Sequence, residues 1–134
     1  MSKRQWNSLL ACTVRFEDSG VGREIDLLKK MDGVTKDEVF ETAVAFGATG
    51  DTPAVYVIDP VTLLRVRLHL ADCHEGYRST RALEQASVSA WVAHAWLIEK
   101  LDESWAAARR PIEKTLRLLT SPLARRSRAR RGST

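Results

Sequence analysis

Residues 91–108 read WVAHAWLIEKLDESWAAA, and this stretch decides the C-terminal half of the fold. Its apolar positions alternate in spacings of three and four, the pattern of a helix that presents a seam to a partner. The seam residues are Trp91, His94, Ile98, Leu101, Trp105 and Ala108. We therefore predict one long helix over residues 79–110, with an interface formed by Trp91, Ile98, Leu101 and Trp105. The seam faces either the chain's own sheet or a second copy of the chain.

The segments on either side of this helix carry strand and breaker patterns. Residues 54–58 are rich in β-formers, and residues 63–70 alternate apolar with polar side chains. These two runs predict an antiparallel β-hairpin over residues 54–70, followed by a polar loop. Pro111 disfavours helical geometry at the residue before it, so the long helix is expected to break or kink there and to continue as a short extension.

The first 50 residues predict one strand and two short helices. In residues 9–16, apolar side chains at even positions alternate with other side chains at odd positions, as in a half-buried strand. Apolar residues spaced by three predict a short helix over residues 23–31. Thr35 and Glu38 have the spacing of a capping box, which opens a second helix that runs to about Phe46.

Together these elements predict an α+β fold in one domain of residues 1–120, followed by a disordered, arginine-rich tail over residues 121–134. Cys12 and Cys73 do not make a disulfide framework. No apolar run approaches the length of about 18 residues that a transmembrane helix needs. The N-terminus lacks the apolar core of a signal peptide. We therefore expect a cytoplasmic protein that makes no membrane contact.

Charge is distributed unevenly along the chain. The whole sequence carries a net charge of +4, yet residues 109–134 hold nine basic side chains and one acidic side chain. The preceding residues are therefore mildly acidic. Arginine-rich tails bind phosphate backbones by releasing counterions, without a sequence preference. We expect the tail to bind nucleic acid through Arg125, Arg126, Arg128, Arg130 and Arg131.

The N-terminal segment, residues 9–47, combines a strand with two predicted helices around a short motif. The motif residues are Gly33, Thr35, Glu38, Val39, Phe40 and Ala43. This segment resembles the ribbon-helix-helix family of DNA-binding proteins. The resemblance implies a dimer whose paired strands enter the major groove, with helix amides at a phosphate. It places Ala11, Thr13 and Arg15 towards the bases, Thr35 and Lys36 at the backbone, and Cys12, Val14 and Phe16 in the core.

The leading hypothesis is a non-enzymatic, homodimeric DNA-binding protein, which the resemblance implies to be a transcriptional repressor or a plasmid or phage accessory factor. Arg15 is the candidate guanine contact, because its fork matches the O6 and N7 acceptors. Arg65 and Arg67, on the polar face of the predicted hairpin, are further candidates. The alternative is a protein-binding module, such as an inhibitor, immunity protein or assembly factor, that acts through the tryptophan-bearing helix.

A third class of function, catalysis or metal binding, finds little support in the motifs. One loop collects side chains that can bind metals, namely His69, Asp72, Cys73, His74 and Glu75. A structural zinc site usually needs two paired spacings, and here there is only one cluster. The sequence lacks a phosphate-binding glycine loop, a nucleophile elbow and a zinc-protease motif. We expect no catalytic residue, no metal and no cofactor.

Overall fold

The structure is a computed structural model that describes residues 10–47, 49–73, 80–122 and 124–125. These residues form two small antiparallel sheets of two strands each and four helices, which confirms the predicted α+β class. The strands are β1 (Leu10–Asp18), β2 (Val21–Leu28), β3 (Val44–Phe46) and β4 (Val55–Val57). The helices are α1 (Lys36–Thr42), α2 (Pro60–Cys73), α3 (Thr80–Glu103) and α4 (Trp105–Thr120).

Strands β1 and β2 form a hairpin. Strand β1 confirms the predicted N-terminal strand, whereas the helix predicted over residues 23–31 is wrong, because β2 occupies most of that range. The turn explains the difference. Ser19 and Gly20 have φ values of 53° and 78°, and a two-residue turn with positive φ matches the twist of a hairpin. Along β2 the apolar side chains of Val21, Ile25 and Leu27 alternate with Gly22, Glu24 and Asp26. The segment therefore fits the two-residue period of a strand as well as the three-residue spacing of a helix.

Helix α1 begins at the predicted capping box. The Thr35 side chain accepts a hydrogen bond from the Glu38 backbone N–H, and the Glu38 carboxylate accepts one from the Thr35 backbone N–H. The helix ends at Thr42, earlier than predicted. The reason is that β3, which follows directly, pairs with β4 and so draws residues 44–46 into a sheet.

The β-hairpin predicted over residues 54–70 is wrong, because most of that range belongs to helix α2. Asp59 explains where the helix begins. Its carboxylate accepts the backbone N–H groups of Val61 and Thr62, both at 3.0 Å, and proline at the first helical position leaves no donor unsatisfied. Helical spacing also suits burial along α2, where Val61, Leu64 and Ala71 share one buried face, while Val66, also buried, lies on the opposite side.

The core of the described chain is helical. Val61 and Leu64 of α2, Ala93 of α3 and Leu118 of α4 form one buried cluster. Leu68, Trp96 and Leu97 pack against it. Trp96 therefore packs on the helical core. The long helix was expected to pack on a sheet, if it packed within the chain.

The long helix predicted over residues 79–110 divides at Ser104. The backbone of Ser104 is extended, with φ −177° and ψ 157°, and its hydroxyl caps α4 by accepting the Ala107 N–H at 3.1 Å. Pro111 lies inside α4, so the break predicted at this proline is wrong. The packed body also reaches beyond residue 121, because Ala124 is buried.

Candidate protein-interaction surface

Helix α3 has apolar residues on two opposite faces. One face carries a stripe of small side chains, Ala82, Ala86, Ser89 and Ala93, all buried. The opposite face, which we call the Trp face, consists of Val88, Trp91, Ala95 and Ile98, all exposed. At 3.6 residues per turn the two stripes lie roughly 170° apart. Helix α3 is therefore apolar both on its buried side and on its exposed side.

The four predicted interface residues all lie in this region. Trp91 and Ile98 belong to the Trp face, Leu101 lies at its margin, and Trp105 begins α4 directly after the break. Trp91 is 75% exposed and Trp105 is 64% exposed. At about 200 Å² per tryptophan, these two side chains alone expose roughly 300 Å², the scale of the largest apolar patch on a typical monomer. Within the described chain no sheet covers Trp91, Ile98, Leu101 and Trp105, whereas Ala108 at the end of the seam is buried.

The β1–β2 hairpin is the second apolar surface. Its register places Cys12, Val14, Phe16, Val21, Ile25 and Leu27 on one side, which we call the apolar hairpin face, and the turn end of this side also carries the ion pair of Asp18 and Arg23 at 3.6 Å. The alternation predicted for β1 is therefore confirmed, but the prediction that Cys12, Val14 and Phe16 lie in the core is wrong, because all three are exposed in the described chain. Every side chain described in β1 and β2 is exposed, so within the described chain nothing covers this face.

The other side of the hairpin carries Thr13 and Arg15, two of the three residues that the resemblance places towards the bases, and each contacts an acidic side chain. The Thr13 hydroxyl donates to Asp26 Oδ1 at 2.7 Å, and Arg15 Nε lies 2.7 Å from Glu24 Oε1. Glu17 lies on the same side of the hairpin, so the formal charge of this side is negative. A phosphate backbone approaching here would meet three carboxylates beside one guanidinium.

The predicted phosphate contacts are also engaged within the chain. Thr35 belongs to the capping box, so Glu38 already occupies the position of an anion at the start of α1. Lys36 Nζ lies 5.7 Å from the centre of the Phe40 ring, in a cation–π contact.

Arg65 and Arg67 connect helices instead of forming a basic stripe. Arg65 Nη1 donates to Glu38 Oε1 at 2.7 Å, and Arg67 Nη1 donates to Gln85 Oε1 at 2.9 Å. The first contact links α2 to α1, and the second links α2 to α3. Because α2 is a helix, alternate residues diverge by about 200°, which separates side chains that a strand would align.

A buried polar network, which we call the Asp59 network, holds three of these elements together. Asp59 is 3% exposed, and its Oδ2 accepts the Thr42 hydroxyl of α1 at 2.5 Å. Lys114 of α4 lies 3.6 Å from Asp59 Oδ2 and donates to the Thr62 hydroxyl. Burial raises the pKa of Asp59, but the hydrogen bonds from Thr42 and Thr62 and the Lys114 cation outweigh it, so the net pKa is lowered.

The pKa of Glu38, a partly exposed residue of α1, is also lowered. The hydrogen bond from the Thr35 backbone N–H, together with the Arg65 guanidinium and despite partial desolvation, lowers the pKa of this carboxyl. Glu38 is therefore ionised at neutral pH and serves both the helix cap and the link to α2.

The basic C-terminal residues and the metal-type cluster lie partly outside the described chain. Arg125 is exposed, and its backbone N–H donates to the Ser121 carbonyl at 3.2 Å. Arg126, Arg128, Arg130 and Arg131 lie outside the described residues, as do His74 and Glu75. Among the residues that are described, no group of three or more His, Cys, Asp or Glu side chains is placed to hold a metal ion.

Sequence reasoning missed the Asp59 network and the stripe of small residues on α3. Asp59 followed by Pro60 is an N-cap and first-turn pair that was readable as a helix start. The spacing of Ala82, Ala86, Ser89 and Ala93 is also regular, but small residues carry little weight when a seam is sought among large ones.

No helix in the described ranges is long and apolar enough to cross a membrane. Comparison of the chain with protein-family models, with curated proteins and with solved structures found no significant match.

Proposed function

We propose that this protein is a non-enzymatic assembly module that binds a second copy of itself through the Trp face of α3. The single observation that carries this proposal is the pair of opposite apolar faces on that helix. The small-residue face lets α3 approach α2 closely within one chain. The Trp face is the larger in side-chain volume and remains exposed, which is typical of a surface reserved for a partner.

The composition of the Trp face suits a protein interface. Tryptophan is enriched among residues that contribute most to binding, because it combines a large apolar area with few rotatable bonds. The ring of His94 stands edge-on to Trp91, with ring centres 6.5 Å apart. This contact holds one tryptophan in a defined position on the exposed face.

The first test replaces Trp91 with aspartate in the full chain. The wild-type protein is expected to sediment as a dimer at micromolar concentration, and the Trp91→Asp variant as a monomer. A carboxylate at the centre of an apolar interface is costly to desolvate, and a symmetric dimer carries the change twice. We expect the dissociation constant to rise by about a hundredfold or more, measured by analytical ultracentrifugation.

The matched control is Ala106→Asp, which adds the same charge at an exposed position of α4. This control variant should keep the wild-type mass, and circular dichroism should show the same helix content in all three proteins. A Trp91→Asp protein that remains as dimeric as the wild type would contradict the proposal, as would a wild-type protein that is monomeric throughout the concentration range.

The charge distribution favours a second function, the binding of DNA by the basic C-terminal arm. Arg110 and Arg117 are exposed on α4, and Arg109, also exposed, is paired with Glu113 at 3.1 Å. These side chains lead into the five arginines of residues 125–131. In a dimer, two such arms would approach one polyanion together, which increases avidity without new contacts.

The test of this second function is a salt series with a labelled DNA duplex. Replacing the five arginines from Arg125 to Arg131 with glutamine should weaken binding and flatten its salt dependence. Each lost phosphate contact reduces the slope of log affinity against log salt by about 0.9. Fluorescence anisotropy measures both quantities. Full-length protein without affinity at low salt would overturn this candidate, whereas a loss of sequence preference in Arg15→Ala would favour base reading by β1.

A further inference from the structure

We infer that the partner's β1–β2 hairpin covers the Trp face, so that two copies exchange hairpins reciprocally. In this arrangement the apolar hairpin face of each copy lies on α3 of the other. The inference rests on the proposed function, because it names what occupies the Trp face. It adds the apolar hairpin face as a second surface, and it specifies that the hairpin of one copy contacts α3 of the other, which self-association alone does not require.

The first support is that, in the described chain, the longest strands (β1 and β2) and the longest helix (α3) each leave an apolar face uncovered. The three-residue strands β3 and β4 also expose apolar side chains, but they are too short to cover α3. A sheet with one apolar side and a helix with an apolar stripe form the common two-layer arrangement of proteins. The described chain leaves both unsatisfied. A twofold exchange uses each face once and leaves neither exposed, because an isologous dimer pairs unlike patches in two equivalent places.

The second support is the stability of the hairpin itself. Its polar side is satisfied within the chain by the contacts of Thr13 with Asp26 and of Arg15 with Glu24. The side chains described on its apolar side are exposed. An isolated two-stranded hairpin is marginally stable in water and needs a further layer against its apolar face. The exposed face therefore calls for a covering layer, and a helix of suitable length is present in the same sequence.

The third support is the match in size. The apolar hairpin face, from Cys12 to the level of Val21, extends over about 20 Å at 3.4 Å per residue. The helix from Val88 to Leu101 extends over about 20 Å at 1.5 Å per residue. Both faces therefore present a strip of similar length, and one can lie along the other without a large overhang.

The fourth support is the area available. Eight large side chains on the two faces expose between 44% and 75% of their surface. They are Val14, Phe16, Val21, Ile25, Leu27, Val88, Trp91 and Ile98. With about 200 Å² for an aromatic side chain and about 150 Å² for an aliphatic one, this amounts to roughly 700 Å² per copy. A stable interface of standard size takes about 800 Å² from each partner.

A complementation experiment tests the exchange. Ile25→Asp damages the apolar hairpin face and leaves the helix intact, while Trp91→Asp does the reverse. Each variant alone is expected to be monomeric at concentrations where the wild type is dimeric. An equimolar mixture should form heterodimers, because the sound hairpin of one variant meets the sound helix of the other. Analytical ultracentrifugation of the full chains measures all four samples.

The outcomes separate this inference from the proposed function. If Ile25→Asp stays dimeric while Trp91→Asp is monomeric, the hairpin is not part of the interface and only the exchange fails. If both variants are monomeric and the mixture stays monomeric, like faces pair with like, and the exchange again fails. If Trp91→Asp stays dimeric, the proposed function itself fails. Glu24→Gln, on the polar side of the hairpin, is the control that should keep the wild-type mass.

A cross-link gives a second, direct measurement. Cys12 is a free, exposed cysteine on the apolar hairpin face. In a background with Cys73→Ser, Ala95→Cys places a thiol in the Trp face. Mild oxidation should then produce a disulfide-linked dimer in high yield through Cys12 of the other copy. Ala106→Cys, on the exposed side of α4, should produce little. Equal yields from the two positions would overturn the exchange.

Discussion

Replacing Asp59 with alanine is expected to lower the free energy of unfolding by about 2–4 kcal/mol, a large share of the stability of a small domain. The substitution removes the acceptor for two backbone N–H groups at the start of α2 and for the Thr42 hydroxyl. It also leaves Lys114 without its carboxylate. Urea unfolding followed by circular dichroism measures the loss.

Two comparisons separate the parts of this effect. Asp59→Asn keeps an acceptor for the helix cap and should lose less stability than Asp59→Ala. Glu113→Ala, which breaks an exposed pair on α4, should change stability by less than about 0.5 kcal/mol. Equal stability of Asp59→Ala and wild type would show that the Asp59 network does not hold the helices together.

The same carboxylate predicts how stability depends on pH. The pKa of Asp59 is lower in the folded chain than in the unfolded chain, so the unfolded state binds the proton more readily. Its contribution is therefore complete above the unfolded pKa of about 4 and declines as the pH falls below that value. In Asp59→Asn this part of the acid destabilisation should disappear.

The second large effect is expected from Ala93→Leu. Ala93 is 2% exposed and lies in the core cluster with Val61, Leu64 and Leu118. A larger side chain there must push α3 away from α2 and α4, and overpacking of this kind costs about 1–3 kcal/mol. Thermal or urea unfolding should show the destabilisation directly.

Ala90→Leu is the matched control on the same helix. The substitution is chemically identical and has the same helix propensity, but position 90 is exposed and lies outside the Trp face. It should leave the unfolding of the body nearly unchanged. If Ala90→Leu is the more destabilising of the two, the assignment of the packed side of α3 is wrong.

Local patterns predicted some elements because one period alone fitted them. Residues 10–18 alternate cleanly, and the capping box of Thr35 and Glu38 is a specific motif, so strand β1 and the start of α1 were predictable. The segments that became β2 and α2 fit both a strand and a helix period. Whether each segment became a strand or a helix depended on residues just outside the periodic run. These are the two-residue turn that begins at Ser19 and the N-cap residue Asp59.

Only part of the candidate site was predictable from the sequence. The spacing of three and four picked out Trp91, Ile98, Leu101 and Trp105, which the structure leaves exposed, and their role as an interface stays a prediction. The arginines of α2 were misplaced because their roles depend on Glu38 and Gln85, which are distant in sequence and close only after folding. Charge alone does not distinguish an arginine that binds a phosphate from one that binds a neighbouring helix.

The separation of the hairpin from the helices has a consequence for hydrogen exchange. In the part of the chain that the structure describes, the side chains of β1 and β2 are exposed. We therefore expect the hairpin to open at a lower free energy than the helices that the Asp59 network connects, as a separate cooperative unit. Amides of β1 and β2 should exchange first, and any partner that covers them would raise their protection in proportion to its concentration.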